Sequence, residues 1–374
     1  MLNWLQNHSE SMLGMLRRMV EQESPSTNKE AVDRFGENLA SLFEETGALV
    51  RTIEVENFGN HLLAEWDGPS DDRILVIGHM DTVWELGTLE SMPFRLDEGR
   101  AYGPGTFDMK AGLVQLLFAV RALAEKGKRP GAKLAALINS DEEVGSSTSR
   151  SLIEEQARRS RTVLVLEPSL SPGGRLKTFR KGAGVFHLEV EGRAAHAGLD
   201  PRGGASAIEE LSRQVQRLHG MTDYDRGVTV NVGTVCGGTR VNVIAAEAEA
   251  EIDLRVSTMD DAREMERAIL GLQSTLEGTR VIVTGGVDRP PLERTPAVVE
   301  LYHRARDIAQ ELGFELGEGA AGGGSDGNLT AACGTPTLDG MGAVGDGAHA
   351  AHEHVIVDEM PKRAALLAGL LEVL

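Results

Sequence analysis

The chain of 374 residues contains two cysteines, Cys236 and Cys333, and that scarcity excludes a disulfide framework. The pair also lacks the spacing of a cysteine zinc site, so a reduced compartment is the simpler setting. Positive charge is short as well: 38 Lys and Arg against 57 Asp and Glu leave a formal net charge of −19. That balance disfavours phosphate backbones, and no Lys/Arg cluster is dense enough to override it, so nucleic acid is not an expected partner. An acidic chain that binds an acidic substrate must supply local arginines. Long apolar runs are missing too, and nothing approaches the roughly 20 residues of a membrane span. Met1–Val20 has apolar residues at helical spacing, interrupted by Asn, His, Glu and Arg, without the basic start and unbroken apolar core of a signal peptide. The expectation is a cytoplasmic protein off the membrane, provided no leader precedes this sequence.

What is there reads as an ordinary globular chain. Hydrophobic residues make up 41% and charged residues 25%, which argues against extensive disorder, and the length favours two domains. There is no internal repeat and no low-complexity segment. Residues 1–46 read as two amphipathic helices broken at Ser24-Pro25-Ser26-Thr27-Asn28. Strand-like runs follow at 48–55, 61–66 and 73–78, then a helix to about Glu125, a buried-type strand at 133–139, a helix at 147–157 and a strand at 162–166. This alternation predicts an α/β layer: a mixed, mostly parallel sheet flanked by helices. Near residue 179 the pattern changes to alternating strands at 184–192, 227–236, 242–256 and 280–284, with helices at 205–218 and 259–276. That β-α-β-β-α-β order predicts an inserted ferredoxin-like α+β domain at 179–289. The first domain, 1–178, resumes at 290–374 with a helix at 299–312, a strand at 335–338 and a closing helix at 358–374.

The stretch Ile74-Leu75-Val76-Ile77-Gly78-His79-Met80-Asp81 organises the chemistry. Four apolar residues make a buried strand, and polar groups just past a parallel strand's end lie where α/β sheets bind ligands. His79 and Asp81, two positions apart, point the same way. Taken alone, the pair also fits a histidine capping a turn. However, Asp108, the Glu142-Glu143 pair and Glu167 stand at further strand ends or turns, and His349, His352 and His354 crowd a late segment. Gathered carboxylates and imidazoles are costly to bury unless a cation compensates them. Nitrogen and oxygen donors without sulfur suit zinc, or manganese or cobalt. Two histidines and three carboxylates, one bridging, would hold two ions about 4 Å apart with an open position on each. One carboxylate must stay off the metals as a base, and Glu142 and Glu143 can divide these roles. Asp141-Glu142-Glu143 also fits an acidic helix N-terminus.

Gly78-His79-Met80-Asp81-Thr82-Val83, Gly103 through Gly112, Asp141 through Ser146, Glu167-Pro168, Gly192 through Gly198, Gly322 through Asp326 and His349-Ala350-Ala351-His352-Glu353 together resemble the M20 family of di-zinc peptidases and deacylases, nearest its glutamate carboxypeptidase (carboxypeptidase G2) branch. The likeness runs from about residue 10 to the C-terminus, in family order. It implies two Zn2+ per chain (Mn2+ or Co2+ as substitutes), with His79 and Glu167 on one, Glu143 and His349 on the other, and Asp108 bridging. It makes Glu142 the general base and Asp81 the partner of His79, and it implies a cis peptide after Asp108. His349 is selected over its neighbours by its position four residues before Glu353; His352 takes an outer role, and His354 runs into a strand. The resemblance further implies a homodimer through the inserted domain, with His196 reaching the partner's active site to hydrogen-bond the oxyanion. Taken alone, His196 fits an ordinary turn histidine. For substrate it points to Arg255, Asn242, Gly324 and Ser325 around the free carboxylate of the leaving amino acid; Arg289, near the return to the first domain, is a weaker candidate for a side-chain carboxylate. An arginine fork suits a carboxylate, but Arg255 equally fits a strand-end ion pair with Asp253 or Glu251. The implied reaction is release of a C-terminal amino acid, glutamate first, from a small peptidyl or N-acyl substrate. Glutamate at 167 goes with the family's carboxypeptidases and deacylases. Met109 and Trp84 depart from the glutamate carboxypeptidase pattern and keep an N-acyl-amino-acid deacylase, of acetylornithine deacetylase or aminoacylase type, open. An inactive relative acting as a binding module would have lost a ligand or the base, and none is missing.

Overall fold

The strand Arg73–His79 is buried at every position, as a strand between two parallel neighbours must be. In the computed structural model, which describes residues 1–374, it runs parallel to both Lys133–Asn139 and Thr162–Val165. The sheet continues parallel to Thr337–Leu338 on one side, and antiparallel through His61–Trp66 to Leu49–Ile53 on the other. Its pleat sends alternate side chains to opposite faces. Ile74 and Val76 enter an apolar cluster with residues of helices Ser9–Val20, Lys29–Glu44, Ala111–Glu125 and Met360–Val373. Leu75 and Ile77 enter a second cluster with Ile153, Ala157 and Leu329 of the helices on the other face. Both faces are therefore covered, and each buried Leu or Ile stabilises the layer by about 1.5–3 kcal/mol. His79 is the last residue of this packed strand, so its backbone is as fixed as the core behind it.

The chain divides into two compact units. One comprises Met1–Phe179, Arg294–Ala321 and Ser325–Leu374; the other comprises Arg180–Glu293 with Gly322–Gly324. The second unit carries an antiparallel sheet of Thr229–Gly237, Glu247–Val256, Gly182–Glu191 and Arg280–Arg289, in that spatial order. Phe186, Leu188, Ile252 and Leu254 face inward against helices Ala207–His219 and Met259–Leu270. Ser206 and Thr258 cap these helices with side-chain oxygens, each accepting a backbone N–H three residues on. The element order and strand order are those of a ferredoxin-like layer. No helix is long and apolar enough to cross a membrane.

Several elements depart from the sequence reading. The first helix breaks at His8, whose backbone leaves helical values and whose Nδ1 meets the Trp4 carbonyl at 2.8 Å. The helix expected to reach residue 276 stops at Leu270, before Gly271. The final strand of the inserted unit, expected to end at 284, runs on through Gly285 and Gly286 to Arg289. A further four-stranded sheet is built from Arg95–Asp97, Arg100–Tyr102, Gly345–Asp346 and His354–Ile356; only the strand at His354 was expected.

Candidate metal centre

The first unit brings the expected ligands together: His79, Glu143 and Glu167 stand at or just past strand ends, Asp108 in a turn and His349 in a loop. His79 Nε2 lies 3.2 Å from Asp108 Oδ1 and 3.7 Å from Glu167 Oε1. His349 Nε2 lies 3.4 Å from Asp108 Oδ2 and 3.1 Å from Glu143 Oε2. The two oxygens of Asp108 thus face different histidines, the arrangement a bridging carboxylate needs. Ligand atoms of His79, Glu142 and Glu167, and of His79, Asp108 and Glu143, fall within 4.8 Å of one another in each group. Glu143 Oε1 is buried without a hydrogen-bond partner, and an orphaned carboxylate oxygen among other carboxylates calls for a cation. The donor set of imidazole nitrogen and carboxylate oxygen fits zinc or a similar divalent ion.

Each side chain is set by local structure. His79 Nδ1 meets the Asp81 backbone oxygen at 3.0 Å, with Asp81 Oδ1 at 3.5 Å, which turns Nε2 toward the carboxylates. Asp81 Oδ2 accepts the Ser26 hydroxyl at 2.6 Å and the Glu143 N–H at 3.2 Å. Asp108 sits in a turn entered by Gly105 at φ 69°, where a Cβ would also come within 2.6 Å of Thr82. The Asp108–Met109 peptide is cis. Asp141 is spent on structure: its carboxylate accepts the Thr148 N–H and hydroxyl, both at 2.7 Å, and the Ser149 hydroxyl at 2.6 Å. Its carboxylate thereby ties the single turn Glu142–Val144 that follows it to the segment at 148–149, so the acidic triplet divides between one structural residue and two site carboxylates. His349 stands in left-handed backbone at φ 61°, a conformation that costs a non-glycine residue about 1–2 kcal/mol.

The electrostatics follow from crowding. Burial alone would lower the His79 imidazole, but hydrogen bonds to Asp108 and Asp81 hold it well above its ordinary value. Hydrogen bonds to Asp108 and Glu143 push His349 up to about 10. Burial opposes ionisation of Asp108, yet His349 and His79 keep it well below the usual carboxylate range. Burial of the Glu142 carboxyl, with the negative charge of Glu167 beside it, raises Glu142 well above an ordinary glutamate. A carboxyl with raised proton affinity is suited to accept a proton.

Two residues around the cage escaped the sequence reading. Lys177 Nζ stands 3.9 Å from Glu167 Oε2; a lone lysine in a short strand gives no signal. Glu353, fully buried, was used only to place His349. Its Oε2 accepts the Trp84 indole N–H at 2.7 Å and the Gly105 N–H at 2.9 Å, and its Oε1 accepts those of Phe107 at 2.9 Å and Asp108 at 3.0 Å. Burial pushes Glu353 up to about 7 against the pull of those N–H groups.

The other expected site residues have their own local partners. Ser325 is buried and caps helix Asp326–Ala332, its hydroxyl donating to Asp339 at 2.6 Å. In the inserted unit, His196 and Asn242 come together: the Ala197 N–H donates to the Asn242 carbonyl at 3.0 Å. His196 is exposed, and its Nδ1 accepts the N–H groups of Gly198 and Leu199, each at 3.1 Å. Its ring proton is therefore on Nε2. Asp253 occupies the Arg255 fork, with Nη2 to Oδ1 at 2.8 Å. The exposed Gly324 and its neighbour Gly323 present carbonyls to Arg180, at 3.0 Å each.

The pattern of Peptidase family M20/M25/M40 matches residues 75–373. Carboxypeptidase G2 of Pseudomonas sp. (strain RS-16) is 29% identical over 369 residues, 96% of this chain and 88% of that protein. An acetylornithine deacetylase of Myxococcus xanthus is 31% identical over 211 residues, about half of each chain at 52% and 53%. The fold is shared with the aminopeptidase PepT of Bacillus cereus ATCC 10987, at a TM-score of 0.81 and 24% identity over 97% of this chain and 98% of that one. With the family pattern running through most of its length, the chain belongs to Peptidase family M20/M25/M40 and is a hydrolase.

Proposed function

We propose that the protein is a di-zinc hydrolase that releases a C-terminal amino acid, glutamate first, from small peptidyl or N-acyl substrates. The observation that carries this reading is the division of the Asp108 oxygens between His79 and His349. His79 and Glu167 would hold one ion, Glu143 and His349 the other. When bound, the ions supply Lewis-acid polarisation of the amide carbonyl and acidify a shared water. Glu142 takes the proton of the attacking water and passes it to the leaving amine, the role its raised proton affinity supports. His196, through its Nε2–H, donates to the tetrahedral oxyanion in the other subunit of a homodimer. Arg255 and Asn242, with Gly324 and Ser325, are the candidates for the free carboxylate of the leaving residue. Resemblance to carboxypeptidase G2 over most of both chains supports glutamate. The deacylase reading draws on the shorter likeness to acetylornithine deacetylase.

Amine release from a panel of N-acyl amino acids and dipeptides, with zinc supplied, tests the reading. N-acyl glutamates should be cleaved at the highest kcat/KM. Preference for N-acetylornithine would move the protein to the deacylases, and no amide cleavage anywhere in the panel would refute the hydrolytic role.

A further inference from the structure

The loop that carries His349 lies between the short strands Gly345–Asp346 and His354–Ile356, which pair antiparallel. Glu353 closes that loop, its N–H donating to the Ala350 carbonyl at 2.8 Å and its carbonyl accepting the Gly103 N–H at 3.3 Å. Its side chain turns away from solvent onto the Gly105–Asp108 turn. Four N–H groups converge on two carboxyl oxygens, and each oxygen takes two. One donor is the backbone of Asp108 itself, and another is Trp84, three residues past Asp81 on the segment leaving the His79 strand. A single buried carboxyl therefore ties together three separate stretches of chain, each of which bears or adjoins a ligand. A network of this kind holds its members only if every donor has its acceptor, because an N–H left unpaired in the interior is expensive.

We propose that Glu353 is a positioning residue of the metal centre, presetting the bridging carboxylate of Asp108 and locking its register to the His349 loop before any ion arrives. It touches neither ion nor substrate and acts through Asp108 and His349. The inference rests on the metallohydrolase reading and extends it from which groups hold the ions to what holds those groups. Glu353→Gln keeps the volume and one acceptor oxygen but turns an NH2 toward N–H donors. Glu353→Asp keeps the charge with a shorter reach. Trp84→Phe removes one donor of four and leaves the carboxyl in place.

The test is Zn2+ affinity of the metal-depleted chain, read by competition with a chromogenic chelator at pH 8 and 25 °C, with the thermal midpoint of each metal-free variant measured alongside. Outer groups that orient ligands contribute 10–100-fold to metal affinity, and Glu353→Gln should lose about that factor while still folded. Glu353→Asp should recover part of the loss, and Trp84→Phe should lose less than either. If the thermal midpoint falls while folded Glu353→Gln binds zinc as the wild type does, the residue is structural only and the proposal is overturned. Should Glu353→Gln not fold, equal zinc affinity in Glu353→Asp, Trp84→Phe and the wild type overturns it equally. A wild-type chain that takes up no Zn2+ refutes the metallohydrolase reading itself. A wild type that takes up two ions, with unaffected variants, refutes only the role given to Glu353.

Discussion

The metal cage and the candidate residues of the inserted unit are built in opposite ways. In the first unit His79, Asp81 and Glu353 are almost wholly buried. Each is held by at least two further contacts, from Ser26 beneath Asp81 to Trp84 beside Glu353. In the inserted unit His196, Asn242 and Gly324 are exposed, and the Arg255 fork rests on a neighbour in its own strand. The lesson concerns preorganisation. Two multiply charged ions need ligands fixed before they arrive; burial in a packed core supplies this for His79, whereas the half-exposed His349 is held by its loop and by Asp108 and Glu143. Groups that meet substrate can wait in solvent, at the expense of ordering them later.

That contrast can be broken by mutation. The largest effect is expected for Glu142→Ala: activity falls by roughly 10²–10⁴-fold, while elemental analysis still finds both ions. Near-normal turnover would show that another group is the base. His196→Ala follows, with a loss of about 10²–10³-fold in kcat and unchanged metal content. Mixed with Glu142→Ala under proven subunit exchange, it should regain partial activity. Absence of recovery would return His196 to the bland reading of a turn histidine. Arg255→Ala should raise KM for N-acyl glutamates by about tenfold, the scale of one charge-assisted hydrogen bond, with kcat nearly unchanged. If Arg255 serves only Asp253, KM stays put and stability changes by less than about 1 kcal/mol.

The smallest effect concerns His61, which lies behind the cage against Ser140 Oγ at 3.1 Å and Thr148 Oγ1 at 3.2 Å. Burial lowers its pKa below 6.5, despite the nearby charges of Asp141, Asp81 and Asp326. Below pH 6.5 the unfolded chain therefore takes the proton first, and stability declines as pH falls toward the depressed folded value. Urea midpoints compared between pH 7.5 and 5.5 should drop less in His61→Gln than in the wild type. An equal drop would mean that His61 is not held neutral.

Much of this was legible in the sequence, for physical reasons. His61–Trp66 and Lys133–Asn139 have the bounds expected of them, because runs of apolar residues ending in polar ones have few other interpretations. The cage residues stood out because carboxylates and imidazoles at strand ends are costly without a purpose. Of the small sheet only the strand at His354 was legible, since its partners of two or three residues carry no periodicity. The expected strand start at Asn242 was instead a turn: pairing begins at Glu247, and the Ile244 N–H donates to the Ala195 carbonyl. The work of Glu353 depends on where four distant N–H groups point, and no local pattern encodes that.

The most direct test of the account is anomalous scattering at the zinc edge from crystals grown with Zn2+. Two peaks are predicted per chain, one beside His79 and Glu167, the other beside His349 and Glu143, with an oxygen of Asp108 directed at each. A single peak, or a pair with Asp108 turned away from both, would contradict it.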